Sequence, residues 1–397
     1  MGGLLSGLRC VQQAAVEGKT VLVRVDYNVP LKNGDVADDA RIEASFPTLI
    51  DLIDREAKPV LLTHLGRPEG KIVPELTLDT VALRLRALLD RPVQKLDDCV
   101  GEEIKKAIEA ETPGALFLLE NLRFHPEEVA NDAQFARSLA DLGDLYVNDA
   151  FATLHRTHAS TLGVTDYLPS YAGMLVQKEL EALSRLIHEP KRPYLAIVGG
   201  KKAKSKLGAL RDLLDQVDAI LIGGGVAFTF LRAKGYLVGN SVVDESIVEE
   251  IKGLIRAAYE KNVLILLPRD VVIAQEVSET VETATCQADK IPDGWIGLDI
   301  GPETIQRFQE HIEAAKTIVW TGPMGAFELE PFSHGTRAIA EALANADAFT
   351  VVGGGETGEA VVMTGWADKM SYISTGGGAC LALLRGKSLP ALEALRE

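Results

Sequence analysis

Short apolar runs alternate along this chain with longer stretches of helical periodicity. That alternation predicts βαβ units and largely parallel sheets. The runs end in two different ways. In the first half they end in polar and charged groups. VLVRVDYN (21–28) ends in Asp26 and Asn28, PVLLTHLGR (59–67) in His64 and Arg67, and ALFLLENLR (115–123) in Asn121 and Arg123. DLYVNDAF (144–151) runs on into Thr153, His155, Arg156 and His158. In the second half the runs end in glycine: LAIVGG (195–200), AILIGGG (219–225), TIVWTGPMG (317–325), FTVVGGG (349–355) and SYISTGGG (371–378). Ligands of open α/β sheets bind beyond the carboxyl ends of the strands. Two sites of different chemistry are therefore expected, one rich in arginine and histidine, the other bedded on glycine loops.

Between the halves lies GMLVQKELEALSRLIHEPKRP (173–193), whose leucines fall near helical spacing until Pro190 and Pro193 stop it. This predicts a helix at 173–190 joining a domain at 1–172 to one at 191–379. At 397 residues the chain is longer than one compact core usually holds, which also favours two domains.

Charge sharpens the picture at one point. The formal net charge is −16, which argues against nucleic acid or an anionic membrane as a partner. Yet VGGKKAKSKLGAL (198–210) places four lysines within six residues behind a glycine pair. A glycine turn opening a helix over 201–213 would aim free N–H groups and a positive dipole end at one spot. Lys202 and Lys206 are four apart and would share a face, which suits a nucleotide polyphosphate. Lys201 and Lys204 read as a solvated face. Four scattered cysteines with no CxxC pair give neither a zinc knuckle nor a redox motif and fit a reducing, cytoplasmic compartment. The start MGGLLS fits only a loose acylation pattern, and no secretory leader or membrane-spanning run is visible.

Other motifs fall away on inspection. Gly18-Lys19-Thr20 and Gly386-Lys387-Ser388 lack the earlier glycine of a P-loop, having Gln13 and Leu381 there. Gly353–Gly358 matches GxGxxG, but the following strand ends in Gly376-Gly377-Gly378 with no acidic residue for a dinucleotide ribose. Asp26 and Asn28 share strand parity with Arg24, as on a half-exposed strand. His155 and His158 lack partners at metal-ligand spacing, so hydrogen-bonding roles fit them better.

Taken together, VRVDYNVP (23–30), HLGRP (64–68), LENLRF (119–124), VNDAFATLHRTHAS (147–160), LVQKEL (175–180), LIGGGVAFTF (221–230), GLDIGP (297–302), VWTGPMGAFE (319–328), VVGGGET (351–357) and STGGGA (374–379) resemble the phosphoglycerate kinase family, in its order and over nearly the whole chain. The resemblance implies an α/β fold of two Rossmann-like lobes, each a parallel sheet flanked by helices, joined by an interdomain helix in a hinge-bending, monomeric kinase. It implies that 380–397 packs back on the first lobe. It implies reversible phosphoryl transfer between 1,3-bisphosphoglycerate and ADP, giving 3-phosphoglycerate and ATP, with Mg²⁺. The family's substrate positions fall on Asp26, Tyr27, Asn28, Arg41, His64, Leu65, Gly66, Arg67, Arg123 and Arg156. Its nucleotide positions fall on Lys202, Lys206, Gly297, Glu328, Gly354, Gly355, Glu356 and Thr357, with Glu356 at the metal-linked place. Catalytic work falls on Arg41, Lys202, Gly376, Gly377 and Gly378. Around the nucleotide, GGKKAKSK stands where the family has GGAKVxDK, so Lys201 replaces alanine and Ser205 aspartate. Thr321 replaces the asparagine of WNGP, and Glu356 replaces the aspartate of GGGDT, moving the carboxylate by one methylene. Ala152 and Leu154 also stand where the family favours smaller residues. Because the attacking group of such a transfer is already an anion, no general base is required, and catalysis rests on alignment and charge neutralisation. A non-catalytic nucleotide-binding relative and a nicotinamide-dependent dehydrogenase are the rival readings.

Overall fold

The computed structural model describes residues 3–397; Met1 and Gly2, on which the acylation pattern turns, and the Leu381 side chain lie outside the described set. The chain divides into two compact units, one reaching to Glu181 and completed by Gly386–Glu397, the other Ala182–Arg385.

The first unit is built on six parallel strands: β1 (Thr20–Arg24), β2 (Lys58–Leu62), β3 (Gln94–Lys95), β4 (Phe117–Leu118), β5 (Leu145–Asn148) and β6 (Ser170–Ala172). Their spatial order is β3-β4-β2-β1-β5-β6. β1 and β2 are covered on both faces, and so read as continuous apolar runs instead of alternating ones. The expectation of a half-exposed strand through Asn28 fails for that reason. β1 stops at Arg24, itself only 1% exposed, and Asp26–Asn28 lie in the loop beyond its carboxyl end. The unit is closed by the far end of the chain. Arg9 N–H donates to Leu395 C=O, Leu8 bridges Arg396, and Ala391 N–H donates to Leu154 C=O. Leu389, Leu392 and Leu395 are buried there.

Helix α1 (Met174–His188) follows β6, and the division between the units falls within it, after Glu181. Its apolar positions Val176, Leu180, Leu183 and Leu186 are wholly buried. Its opening turn is held by side chains from elsewhere in the first unit. Thr48 Oγ1 accepts the Met174 N–H at 2.8 Å, and Asp149 Oδ1 accepts that of Leu175 at 2.9 Å. Burial pushes the Asp149 carboxyl up to about 7.

The second unit carries β7 (Tyr194–Val198), β8 (Ala219–Ile222), β9 (Leu264–Leu266), β10 (Asp270–Ala274), β11 (Ala284–Gln287), β12 (Ile296–Ile300), β13 (Thr317–Thr321), β14 (Phe349–Gly353) and β15 (Tyr372–Ser374). Six form a parallel sheet ordered β9-β8-β7-β13-β14-β15, around a core that includes Trp320, Ile197 and Phe308. β10, β11 and β12 form a separate antiparallel sheet that strand-end patterning did not anticipate. Glycine runs after four parallel strands lead into helices α2 (Ala203–Leu213), α3 (Gly224–Ala233), α4 (Gly355–Met363) and α5 (Gly377–Leu384). Among the described residues, no helix is long and apolar enough to cross a membrane.

A Cβ at Gly173 would sit 2.1 Å from Asp149 Oδ1, closer than real atoms approach. Gly173→Ala should therefore destabilise the first unit by about 1–3 kcal/mol, the usual cost of overpacking. Denaturant unfolding measures it, and an unchanged midpoint would contradict the packing described.

Candidate active site

At the carboxyl ends of β1, β2, β4 and β5, the first unit gathers five arginines and three histidines. Arg24 points into the protein, where Nε donates to Ser160 Oγ at 2.9 Å and Nη2 meets His64 Nδ1 at 3.0 Å. Ser160 Oγ in turn donates a hydrogen bond to Glu128 Oε1 at 2.7 Å, and Glu128 is buried. On the other edge of the His64 ring, Nε2 faces Arg156 Nη1 at 3.3 Å. A neutral imidazole accepts at one nitrogen only. We assign the acceptor to Nδ1, because the Arg24 contact is shorter and lies deeper. Nε2 then carries the hydrogen and faces Arg156 donor to donor, an arrangement that an anionic oxygen placed between them would satisfy.

The remaining groups frame this centre. Arg123 Nη1 donates to Gly66 C=O at 2.7 Å, Asn28 Oδ1 accepts the Gly66 N–H at 2.8 Å, and Arg41 pairs with Asp26 at 2.5 Å. Arg67 is exposed at the turn. Asn121, buried, accepts the N–H of Leu65 and of Arg123 and donates to Leu65 and Leu76 carbonyls, which sets the bend between β4 and Arg123. Three of the expected substrate residues, His64, Tyr27 and Leu65, are buried. Tyr27 is wholly buried with its hydroxyl on Ser45 Oγ, and Leu65 packs in the core, so their side chains support the basin from beneath. Arg24 went unassigned by sequence reasoning; its place at the end of β1 was the available signal.

Crowded cations depress one another's charge. Desolvation, with Arg156 and Arg24 nearby, lowers Arg123 to about 10, and Arg156 shifts the same way. Burial and the surrounding arginines hold His64 well below its usual range and His158 at about 4, and His155 is lowered too.

In the second unit, a cavity of about 500 Å³ opens beyond β7, β13 and β14. Lys202, Lys206, Gly354, Gly355, Glu356, Thr357 and Gly377 line it, with Gly376 and Gly378 flanking the last. A second cavity of about 400 Å³ is lined by Gly297, Glu328, Phe228 and Leu298. Gly200, Lys201 and Glu356 line both. Lys201 thus lies on the site and not merely on a solvated face. α2 begins at Ala203, two residues later than expected, and Lys202 is its extended N-cap; Lys202 and Lys206 share the cavity without sharing a helical face.

Lys206 Nζ donates to Thr321 Oγ1 at 2.9 Å, and burial lowers its pKa. Thr357 Oγ1 accepts the Gly322 N–H at 2.6 Å. The floor is backbone packed on backbone. A Cβ at Gly322 (φ +87) would lie 2.2 Å from Gly199 C=O, and one at Gly297 would lie 2.2 Å from the Phe228 ring. Glycine is required where backbone meets backbone at Gly322, and at Gly297 it lets the buried Phe228 ring pack directly on the strand.

Known proteins give this arrangement its class: the chain is an α/β phosphotransferase that uses a carboxyl group as acceptor. Residues 11–387 match the family model described as phosphoglycerate kinase, and the chain belongs to that family. It is 52% identical to the phosphoglycerate kinase of Moorella thermoacetica over 96% of this chain and 97% of that one, and 50% identical to that of Pelotomaculum thermopropionicum over 98% and 99%. The solved phosphoglycerate kinase of Coxiella burnetii is 41% identical with a TM-score of 0.86, covering 98% of both chains, and that of Pyrococcus horikoshii is 32% identical at 0.84 over the same shares.

The lowered histidines make a direct expectation. In the ligand-free protein, the His64 and His158 rings should stay neutral from pH 8 down through pH 6, because protonation is favoured only below their depressed pKa values. Imidazole NMR titration reads this, and a midpoint near 6.5 for either ring would refute the electrostatic account.

Proposed function

We propose that the first-unit basin holds 3-phosphoglycerate or 1,3-bisphosphoglycerate and that the two cavities of the second unit hold ADP or ATP. The observation that carries this reading is the 500 Å³ cavity, in which three lysines, Lys201, Lys202 and Lys206, and the first turns of α4 and α5 converge with a single lining carboxylate, Glu356. Helix N-termini and lysines suit a polyphosphate. The 400 Å³ cavity, with Phe228, Gly297 and Leu298 in its lining, suits a nucleobase, and Glu328 in the same lining would take the ribose hydroxyls.

In this proposal the arginines and His64 Nε2–H bind the phosphate and carboxylate of the three-carbon acid. Arg41 and Lys202 neutralise the oxygens of the migrating phosphoryl group, and the amides around Gly376–Gly378 hold it in line. No proton acceptor is needed, since the attacking oxygen is already anionic. The chemistry of the donor set fits Mg²⁺, which is commonly held by one or two carboxylates plus substrate phosphates, and Glu356 would hold it. When bound, the ion supplies further charge neutralisation at the phosphate oxygens. The two ligand sites belong to different units, so closure of the units around both ligands is part of the proposal. The same reading takes the protein as a cytoplasmic monomer with no nucleic-acid or membrane partner.

A coupled assay of ATP with 3-phosphoglycerate, at varied Mg²⁺ and Mn²⁺, tests it; nucleotide binding without turnover would favour the non-catalytic alternative. Arg41→Ala should slow turnover roughly 10²–10³-fold, as loss of one charge-stabilising donor does. Lys202→Ala should act similarly on kcat, and a change confined to KM for nucleotide would make Lys202 a binding residue only.

A further inference from the structure

Among the described residues, one group of three side chains outside both cavities combines a thiol, an imidazole and a carboxylate: Cys99, His125 and Asp98. Their donor atoms all lie within 4.8 Å of one another. They come from two loops at the edge of the first unit's sheet. Asp98 and Cys99 follow β3 and precede the helix Glu102–Glu109; His125 follows β4 and stands at the N-cap of the helix Pro126–Ala130. The loops are already tied by the Glu120 N–H donating to Asp98 C=O at 3.3 Å. Cys99 is wholly buried, the His125 side chain is 30% exposed, and that of Asp98 is 50% exposed. The thiol therefore forms the base of the group and the carboxylate its open rim. Asp98 Oδ1 sits 2.7 Å from His125 Nε2 and accepts the Cys99 N–H at 2.6 Å, so the three residues are organised around one oxygen. The His125 ring is braced against Phe135, with centroids 5.1 Å apart.

We propose that Asp98, Cys99 and His125 form a transition-metal site, selective for Zn²⁺ or Co²⁺ over Mg²⁺ and separate from the nucleotide cavities. Thiolate, imidazole and carboxylate are the ligand types zinc takes, and water completes a tetrahedron. Zinc–ligand bonds of about 2.0–2.3 Å hold donor atoms about 3.3–3.6 Å apart in a tetrahedron. With no two donor atoms more than 4.8 Å apart, reaching that spacing asks for shifts of about 1 Å or less shared among the three residues, and the half-exposed carboxylate can open its 2.7 Å contact with His125. On binding, Cys99 releases its thiol proton to solvent and His125 carries its remaining proton on Nδ1, leaving the Nε2 lone pair for the ion. Mg²⁺, which seeks oxygen ligands, is poorly served by this set. The ion would clip the two loops together two residues from Arg123.

Co²⁺ titration of the full-length, metal-stripped protein tests this. One equivalent should bind with visible ligand-field bands and a near-ultraviolet thiolate-to-cobalt band, should be displaced by Zn²⁺, and should survive excess Mg²⁺. Cys99→Ser should abolish the thiolate band. His125→Gln should weaken Co²⁺ affinity by more than about 100-fold, beyond the 10–100-fold typical of losing an outer supporting group. A wild-type protein without the thiolate band overturns the proposal, and so does an unchanged band in Cys99→Ser, which would place the ion on Cys10, Cys286 or Cys380. Should Cys99→Ser fail to fold, Asp98→Asn at the exposed rim decides jointly with His125→Gln: full affinity in both would refute the site.

Discussion

The first unit depends on holding like charges close together without an equal number of counter-ions. Arg24, Arg123 and Arg156 crowd one imidazole, and the deepest carboxylate among them, Glu128, reaches Arg24 only through the Ser160 hydroxyl. Burying a charge that is incompletely paired is costly, and the rigid frame of strand ends and buried asparagines bears that cost. A basin under such tension gains more from an incoming dianion than a relaxed surface would, because the ligand relieves repulsion as well as making contacts. The depressed histidines share that setting: burial first, and then repulsion from three guanidinium groups, keeps the rings neutral.

The second unit meets a comparable demand by another route. Part of its cavity floor is bare backbone. Gly199 and Gly322 let two loops touch backbone to backbone, and the strands deliver amide groups where bulky residues would stand. Three lysines add charge at the rim of this bed, against one glutamate. Arginine geometry suits carboxylate and phosphate groups, whereas backbone donors follow shape more than side-chain identity.

Much of this was legible because strand-end chemistry survives in linear order. The apolar runs at 21–25, 59–62, 195–198 and 317–320 fall on central strands, and the residues that follow them fall at the candidate sites. What stayed hidden depended on contacts distant in sequence. The alternation seen around Arg24 suggested one exposed face, but helices on both sides of the sheet bury it. Lys201 looked solvated until two cavities were found to meet beside it. Tyr27 and Leu65 stand between site residues, yet their side chains belong to the core. β10–β12 carried no distinctive strand-end grammar, and Phe228 drew no notice because its role comes from the missing side chain of Gly297.

The return of Gly386–Glu397 to the first unit has a consequence for biogenesis. Leu8 and Arg9 find their partners at Arg396 and Leu395, nearly the whole chain away. A nascent polypeptide emerging from the ribosome lacks those partners until Leu395 and Arg396 have been made, whereas Ala182–Arg385 is one uninterrupted segment. Vectorial folding therefore favours completion of the later-made unit before the earlier one can be sealed. Loss of Gly386–Glu397 would leave the first unit unfinished while sparing Ala182–Arg385.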